Sequence, residues 1–378
     1  MKKCIIIPDS FKGTISSTEI CNIIKEKLLY YYPHCNVITI PIADGGEGTV
    51  DSFLAIVKGK RVKVTASGPY KEKILCDYAR FGETAVIEMA QAAGFTLVKG
   101  KENPAETTTY GVGELIRHAI ENGCKEIIIG LGGSCTNDGG TGMAAALGVR
   151  FIDDKGEEFI PTGGTLDKIM RIDASPAKEV LRGCRITAMC DIDNPMYGEN
   201  GAAYVFAPQK GADEKMVRML DRNLRILSDL IIRDIGKDVS QLPGAGAAGA
   251  MGAGVAAFLN GELKSGIQIL LDLIRFEEML EDADLVFTGE GKIDGQSLRG
   301  KVVVGVAERA SKFGVPVVAI VGDVSDDAYA AYDKGVTAIF SINRLAIPYE
   351  QAKFRSKHDL AATVNDIIRF LKYCGRCG

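Results

Sequence analysis

The 378-residue sequence contains no tryptophan, only three histidines and no run of roughly 18 or more apolar residues. Each absence removes a class. His34, His118 and His358 stand far apart, so no paired-histidine spacing offers a zinc site. The missing apolar run excludes a helical membrane span; the nearest stretch, 244–259, is mostly Ala and Gly. A basic excess is missing too. Lys and Arg number 45 against 49 Asp and Glu, a net charge of −4, with no polybasic block to meet a nucleic-acid duplex. The N-terminal MKKCIIIPDSF is interrupted by Pro8 and Asp9 too early for a secretory signal and reads as a buried strand. Eight of the ten cysteines are scattered through strand-like and helical contexts where a thiol behaves as a small apolar group, which points to reduced thiols in the cytoplasm. Cys374 and Cys377 form a single CxxC without the two further ligands that zinc needs, so a frayed, metal-free tail is expected.

Glycine is abundant instead: 44 residues, with no G-X-Y period and no Ser-rich linker to account for them. A composition 46 % hydrophobic and 25 % charged is that of a globular chain, and the length predicts two or three domains. From the start, apolar runs alternate with amphipathic helices: strand 3–7, helix 17–31, strand 36–40, helix 48–57. The pattern returns at the end with strand 284–288, helix 301–312, strand 315–321, a further helix, strand 336–340 and helix 359–373. Such alternation predicts βαβ units and parallel strands. Between them, 61–66, 74–81 and 84–89 follow in quick succession across short turns and predict antiparallel or mixed pairing. Helix 110–122, strand 126–129, helix 139–147, strand 185–190 and helices 214–234 and 247–259 complete the middle. The expected architecture is α/β: a parallel-sheet domain from both ends of the chain, 1–58 plus 283–378, and an inserted mixed α/β domain, 59–282, with a cleft between them.

Glycine clusters fall where strands end, the edge at which α/β sheets bind ligands. After the first strand, Asp9, Ser10 and Lys12 can hold a phosphate and a metal-bound water, unless the segment is only a turn with Ser16 or Ser17 capping the next helix. After the second, Gly45, Gly46 and Gly48 let backbone N–H groups approach an anion, and Asp44 and Glu47 are hard oxygen donors suited to Mg²⁺. The loop 130–142 brings Gly132, Gly133, Ser134, Thr136, Asn137 and Asp138 to a helix start, an anion site or else a packing loop. It is not the dinucleotide fingerprint, because Cys135 takes the last glycine position. Asp191 and Asp193 can reach a metal or serve as base and orienting group, with Asn194 beside them; the competing reading is an Asx turn before Pro195. Gln209 and Lys210 can face an anionic substrate. In the last cluster Glu290, Lys292 and Asp294 follow a strand expected to end at Thr288. Residues 295–301 match G-x-x-x-x-G-K, but Val302 supplies no hydroxyl and the match starts too far past that strand for a P-loop. Two glycine groups carry less: 107–114, where Thr reads as a helix cap, and 243–254, read equally as helix packing or ligand approach.

Five of these segments, 9–13, 43–49, 132–140, 190–195 and 288–294, resemble in order the signature loops of the bacterial glycerate kinase type 1 family, and the likeness runs from about residue 3 to about residue 373. Cys135 stands where the family usually has Ala, Lys292 where Arg is common, and Ala207 where Gly is frequent; none of these removes a charge or a metal-capable oxygen. The resemblance implies a flavodoxin-like domain with an inserted domain, and ATP-dependent phosphorylation of D-glycerate at its 2-hydroxyl. Phosphoryl transfer needs phosphate cradles, a divalent metal and a group that orients the hydroxyl, so Lys12 and Lys292 are expected on phosphate oxygens, Asp44 and Glu47 on Mg²⁺, and Asp191 or Asp193 at the hydroxyl. The loop 132–140 would take the nucleotide phosphates or the substrate carboxylate. The expected partners are small molecules, with neither nucleic acid nor membrane, and the expected state is a monomer or homodimer. Another phosphoryl-transfer enzyme, such as a phosphatase, and a two-lobed sugar-acid binding protein are the alternatives of different class.

Overall fold

The computed structural model describes residues 1–11, 13–42, 50, 53–54, 57–295, 297 and 301–374. Its strands are β1 (Lys3–Pro8), β2 (Asn36–Thr39), β3 (Lys60–Ser67), β4 (Lys73–Phe81), β5 (Thr84–Glu88), β6 (Glu126–Gly130), β7 (Arg150–Ile152), β8 (Glu158–Phe159), β9 (Arg171–Asp173), β10 (Arg185–Met189), β11 (Glu262–Lys264), β12 (Leu285–Ile293), β13 (Val317–Val324) and β14 (Ala338–Ser341). The helices that matter below are α1 (Ser17–Tyr31), α2 (Tyr110–Glu121), α3 (Thr141–Ala146), α4 (Glu214–Ile235), α5 (Ala247–Phe258), α6 (Gly266–Leu273), α7 (Val302–Lys312) and α8 (Ser356–Cys374). None of the described helices is long and apolar enough to cross a membrane. The chain divides into two compact units, Met1–Asp44 with Ile267–Gly378, and Gly45–Gly266.

The first unit is a five-stranded sheet in the order β14-β13-β12-β1-β2, parallel throughout. β1 lies inside it, and Ile5, Ile6 and Ile7 are fully buried, as a strand covered on both faces requires. α1 opens with a capping box in which the Ser16 hydroxyl accepts from Glu19 N–H and the Glu19 carboxylate accepts from Ser16 N–H. With α8 it covers one face, packing Ile20, Ile24, Leu28, Leu360 and Val364 against Ile6, Phe287 and Ile320. β12 departs from expectation. It does not stop at Thr288 but continues to Ile293, with Gly289 opposite Ile320 and Lys292 opposite Asp323. Its glycines read as loop because they are glycines, yet their place is a close approach of strands: a Cβ on Gly289 would lie 2.1 Å from the Ile320 carbonyl oxygen.

The second unit has a six-stranded mixed sheet, β11-β10-β6-β5-β4-β3, antiparallel through β3, β4 and β5 and parallel from β5 to β11. A small antiparallel sheet, β8-β7-β9, fills a stretch where no strands were expected. Two helix boundaries move. Gly139 and Gly140 take left-handed φ values of +64° and +73°, so α3 begins only at Thr141. The α5 run is broken at Ala248, Gly249 and Ala250, whose φ values are 55°, 66° and 66°. There the run passes the loop after β6: Gly139 N–H donates to Gly249 O at 3.0 Å, and a Cβ on Gly249 would fall 2.0 Å from Thr136 O.

A Gly289→Ala substitution therefore forces two central parallel strands apart. It is expected to cost about 2 kcal/mol or more, read as a fall of several degrees in a thermal melt followed by circular dichroism.

Candidate active site

β5, β6, β10 and β11 run parallel, with Glu88 opposite Gly130, Gly130 opposite Met189 and Met189 opposite Lys264. Their carboxyl ends share one edge, and the segments 131–140, 190–195 and 265–266 leave it side by side.

Asp138 organises the first of these loops. Its side chain is fully buried, with Oδ2 accepting from Thr109 N–H (2.8 Å), Thr109 Oγ1 (2.8 Å) and Gly142 N–H (3.3 Å), and Oδ1 from Gly140 N–H (3.1 Å). Burial pushes its carboxyl above the usual range while these donors pull it back. Thr109 does not cap its own helix; its hydroxyl accepts from Met143 N–H at 2.9 Å, in α3. Thr107 Oγ1 donates to Cys135 O at 3.0 Å. Lys210, 3 % exposed, donates from Nζ to Ser134 Oγ and Thr136 O, each at 2.7 Å. Burial draws its ammonium down to about 8, opposed by Cys135 and Asp138, and pushes the Cys135 thiol up to about 12. Gly132 and Ser134 are half-buried and Gly133 is exposed, whereas Thr136 and Asn137 lie fully buried behind them. Thr136 Oγ1 and both polar atoms of the Asn137 amide have no hydrogen-bond partner among the described residues, an unusual state for sealed polar groups.

In the second loop Asp191 and Asp193 are exposed. Asp191 Oδ1 accepts from Gly266 N–H at 2.9 Å. The Asn194 amide donates to Asn200 O at 2.8 Å, which ties the loop before Pro195 to the segment after it. Gly246 N–H donates to Asn194 O at 2.9 Å, and a Cβ on Gly246 would lie 2.3 Å from Pro195 O. The 243–254 glycines are thus places where backbone passes backbone behind the two loops. Glu88, at the end of β5, is buried and accepts from Val50 N–H at 2.7 Å. Neither Glu88 nor Gly266 stood out in the sequence. A carboxylate ending an apolar strand was the available signal for Glu88; for Gly266 there was none.

In the first unit, Asp9 N–H donates to Gly289 O at 2.8 Å, joining the ends of β1 and β12, and Ser10 N–H donates to Asp9 Oδ1 at 2.6 Å. Ser16 caps α1, and Ser17 Oγ donates to Pro8 O at 2.8 Å. Glu290 is 5 % exposed, and its Oε1 has no hydrogen-bond partner among the described residues. Burial pushes its carboxyl up to about 7; Ser297 and Lys301 pull it down, and Asp9 and Asp294 add to the push. Lys292 is exposed on the same strand, and Asp294 turns the chain by accepting Ser297 N–H at 3.3 Å. Lys12, Asp44, Gly45, Gly46, Glu47 and Cys377 lie outside the described residues. Among those described, no three His, Cys, Asp or Glu side chains stand grouped as a metal site.

The chain matches the model of the glycerate kinase family over residues 4–372. It is 46 % identical to a glycerate kinase of Bacillus cereus over 98 % of both chains. It is 43 % identical to the glycerate 2-kinase of Escherichia coli over 94 % of both. A crystal structure from Salmonella typhimurium LT2, assigned as a glycerate kinase 2, superposes with a TM-score of 0.83 at 39 % identity, covering 99 % of each chain. The mixed α/β architecture is thus shared with a solved structure.

The buried Glu290 has a consequence for stability. Its folded pKa lies above the ordinary 4.5 of an unfolded glutamate, so the native state holds the proton more tightly. Stability from this group is complete below pH 4.5 and is lost as pH rises through about 7. Glu290→Gln, which is neutral throughout, is expected to melt near wild type at pH 5 and several degrees above it at pH 8. A melting difference that does not change with pH would remove Glu290 as the cause.

Proposed function

The chain belongs to the glycerate kinase family, and from that premise we propose that it transfers the γ-phosphoryl group of ATP to the 2-hydroxyl of D-glycerate. The observation that carries this reading is a family match from residue 4 to residue 372, long enough to include all five glycine-bearing loops. The 2-hydroxyl follows the relative from Escherichia coli named glycerate 2-kinase. The reaction needs cradles for the phosphates, a divalent cation against developing charge, and a group that orients the attacking hydroxyl.

Asp191 is assigned to that last task, with Asp193 two residues on. An ionised carboxylate accepts the hydroxyl proton as the oxygen attacks, and Asp191 is already held by one N–H. Gly132, Gly133 and Ser134 present the accessible part of the first loop to an anionic group, with Asn194 on the neighbouring loop. Thr136, Asn137 and Asp138 form the backing of that loop, and Lys210 adds positive charge from beneath while fixing Ser134. Lys12, Lys292, Ser10, Gly45 and Gly46 are assigned to phosphate oxygens, and Glu290 and Asp294, which flank Lys292 in sequence, to the binding of the same ligands. Asp44 and Glu47, hard oxygen donors, would hold Mg²⁺. Held there, the cation would supply charge neutralisation for phosphoryl transfer. The enzyme would act in the cytoplasm on small molecules alone.

Phosphorus NMR of the product from ATP, Mg²⁺ and D-glycerate tests the reading. Formation of 2-phosphoglycerate is expected, with ATP consumed only when D-glycerate is present; glycerate-independent hydrolysis would favour a phosphatase, and binding without turnover a binding protein. Asp191→Asn is expected to lower kcat by about 100-fold or more with the fold intact, and near-normal turnover would take Asp191 out of the mechanism.

A further inference from the structure

One backbone donor to Asp191 comes from outside its own loop. Gly266 is the first residue of α6, and its N–H reaches Asp191 Oδ1 at 2.9 Å. The approach is prepared by the edge strand before it. β11 pairs with β10 up to Lys264 opposite Met189, and Cys190 N–H then donates to Lys264 O at 2.8 Å. The ladder therefore runs one residue past β10 and delivers Gly266 beside Asp191. A Cβ at position 266 would stand 3.4 Å from Asp191 Oδ2, an ordinary van der Waals contact, so an alanine fits there without displacing the carboxylate.

The rest of the Asp191 loop is held by contacts of other kinds. Cys190 Sγ donates to Ile192 O at 3.3 Å, Asn194 is tied to Asn200, and Gly246 N–H holds Asn194 O. None of these touches the Asp191 carboxylate.

We propose that Gly266 is a positioning residue for phosphoryl transfer: its backbone N–H, at the start of α6, fixes the orientation and the ionised form of the Asp191 carboxylate that receives the substrate hydroxyl. The inference rests on the role assigned to Asp191 above. The donor is main chain and the residue is a glycine, so a side-chain scan of the site would pass over it. Titratable groups near Asp191 include Cys190, whose thiol burial and the charges of Asp191 and Asp193 push up, while Lys264 on β11 is paired with Glu262 at 2.9 Å.

Proline is favoured at the first position of a helix and carries no N–H, so Gly266→Pro removes the donor while leaving α6 able to form. Gly266→Ala keeps the donor. The expected result is that G266P loses tenfold or more in kcat, with the KM for D-glycerate changed less than threefold. Its acid limb of kcat against pH should move to higher pH by about one unit, as a carboxylate deprived of a charge-assisted hydrogen bond becomes harder to ionise. G266A should retain most of the turnover and the wild-type limb. A purely structural glycine would leave the limb where it is.

A second measurement does not depend on G266P folding. In protein labelled with nitrogen-15 glycine, the Gly266 amide, assigned by its loss in G266A, should follow a titration that is absent in Asp191→Asn. An amide indifferent to pH, or one that titrates equally in D191N, overturns the inference. So does a folded G266P with wild-type kcat and an unmoved limb beside an inactive D191N. A D191N enzyme with normal turnover removes the role of Asp191 itself, and this inference falls with it.

Discussion

Asp138 sits out of reach of water with four hydrogen bonds converging on its carboxylate, from both donors of Thr109 and the N–H groups of Gly140 and Gly142. A buried carboxylate is tolerated only where donors surround it, and here the donors come from two helix starts. One carboxylate therefore fixes the entry of α2, the left-handed turn at Gly139 and Gly140, and the start of α3 together. The loop between β6 and α3 takes a form in which every one of these donors meets Asp138.

The surroundings extend the same constraint. Lys210 reaches the loop from the short turn 208–210, and its ammonium meets Ser134 Oγ and Thr136 O beneath the accessible glycines. A buried cation beside a buried carboxylate and a buried thiol forms a dense polar knot, flanked by the Ala- and Gly-rich α5. The glycines of α5 let main chain lie against main chain, Gly249 against Thr136 and Gly254 against Gly139. Preorganised donors in such a setting act more strongly on charge than they would in water.

Much of this was legible as pattern and little of it as geometry. The alternation of apolar runs with amphipathic helices was sufficient for the parallel sheet of β1, β2 and β12 to β14, because burial on both faces leaves continuous apolar strands such as Ile5, Ile6 and Ile7. Glycine was harder to read. At 139 and 140 it supplies a left-handed backbone, at 289 it sits inside a strand against a carbonyl, and at 249 it lets two loops touch; one letter served three physical ends. Thr109 read as a cap for its own helix and proved to cap another, a long-range choice that no local spacing encodes. Lys210 read as facing a substrate, and its ammonium instead reaches inward to Ser134 and Thr136. The Asp191 pair was visible from its spacing, but not the main-chain donor that holds it, since a backbone N–H leaves no mark in a sequence.

The first unit joins strands from opposite ends of the chain. Cys4 pairs with Leu285 in the register of β1 and β12, and Thr288 Oγ1 donates to Ile7 O across 281 residues of sequence. During synthesis the apolar strand β1 emerges first and must wait, with one edge open, until most of the polypeptide has followed it. The inserted unit has emerged by then, while β1, with β2 as its only available neighbour, still has its β12 edge open. Loop closure over such a span is slow, and unpaired apolar edges invite association. The order of assembly on the ribosome is therefore written into the strand order: inserted unit first, discontinuous sheet last, with β1 as the segment a chaperone has most reason to shield.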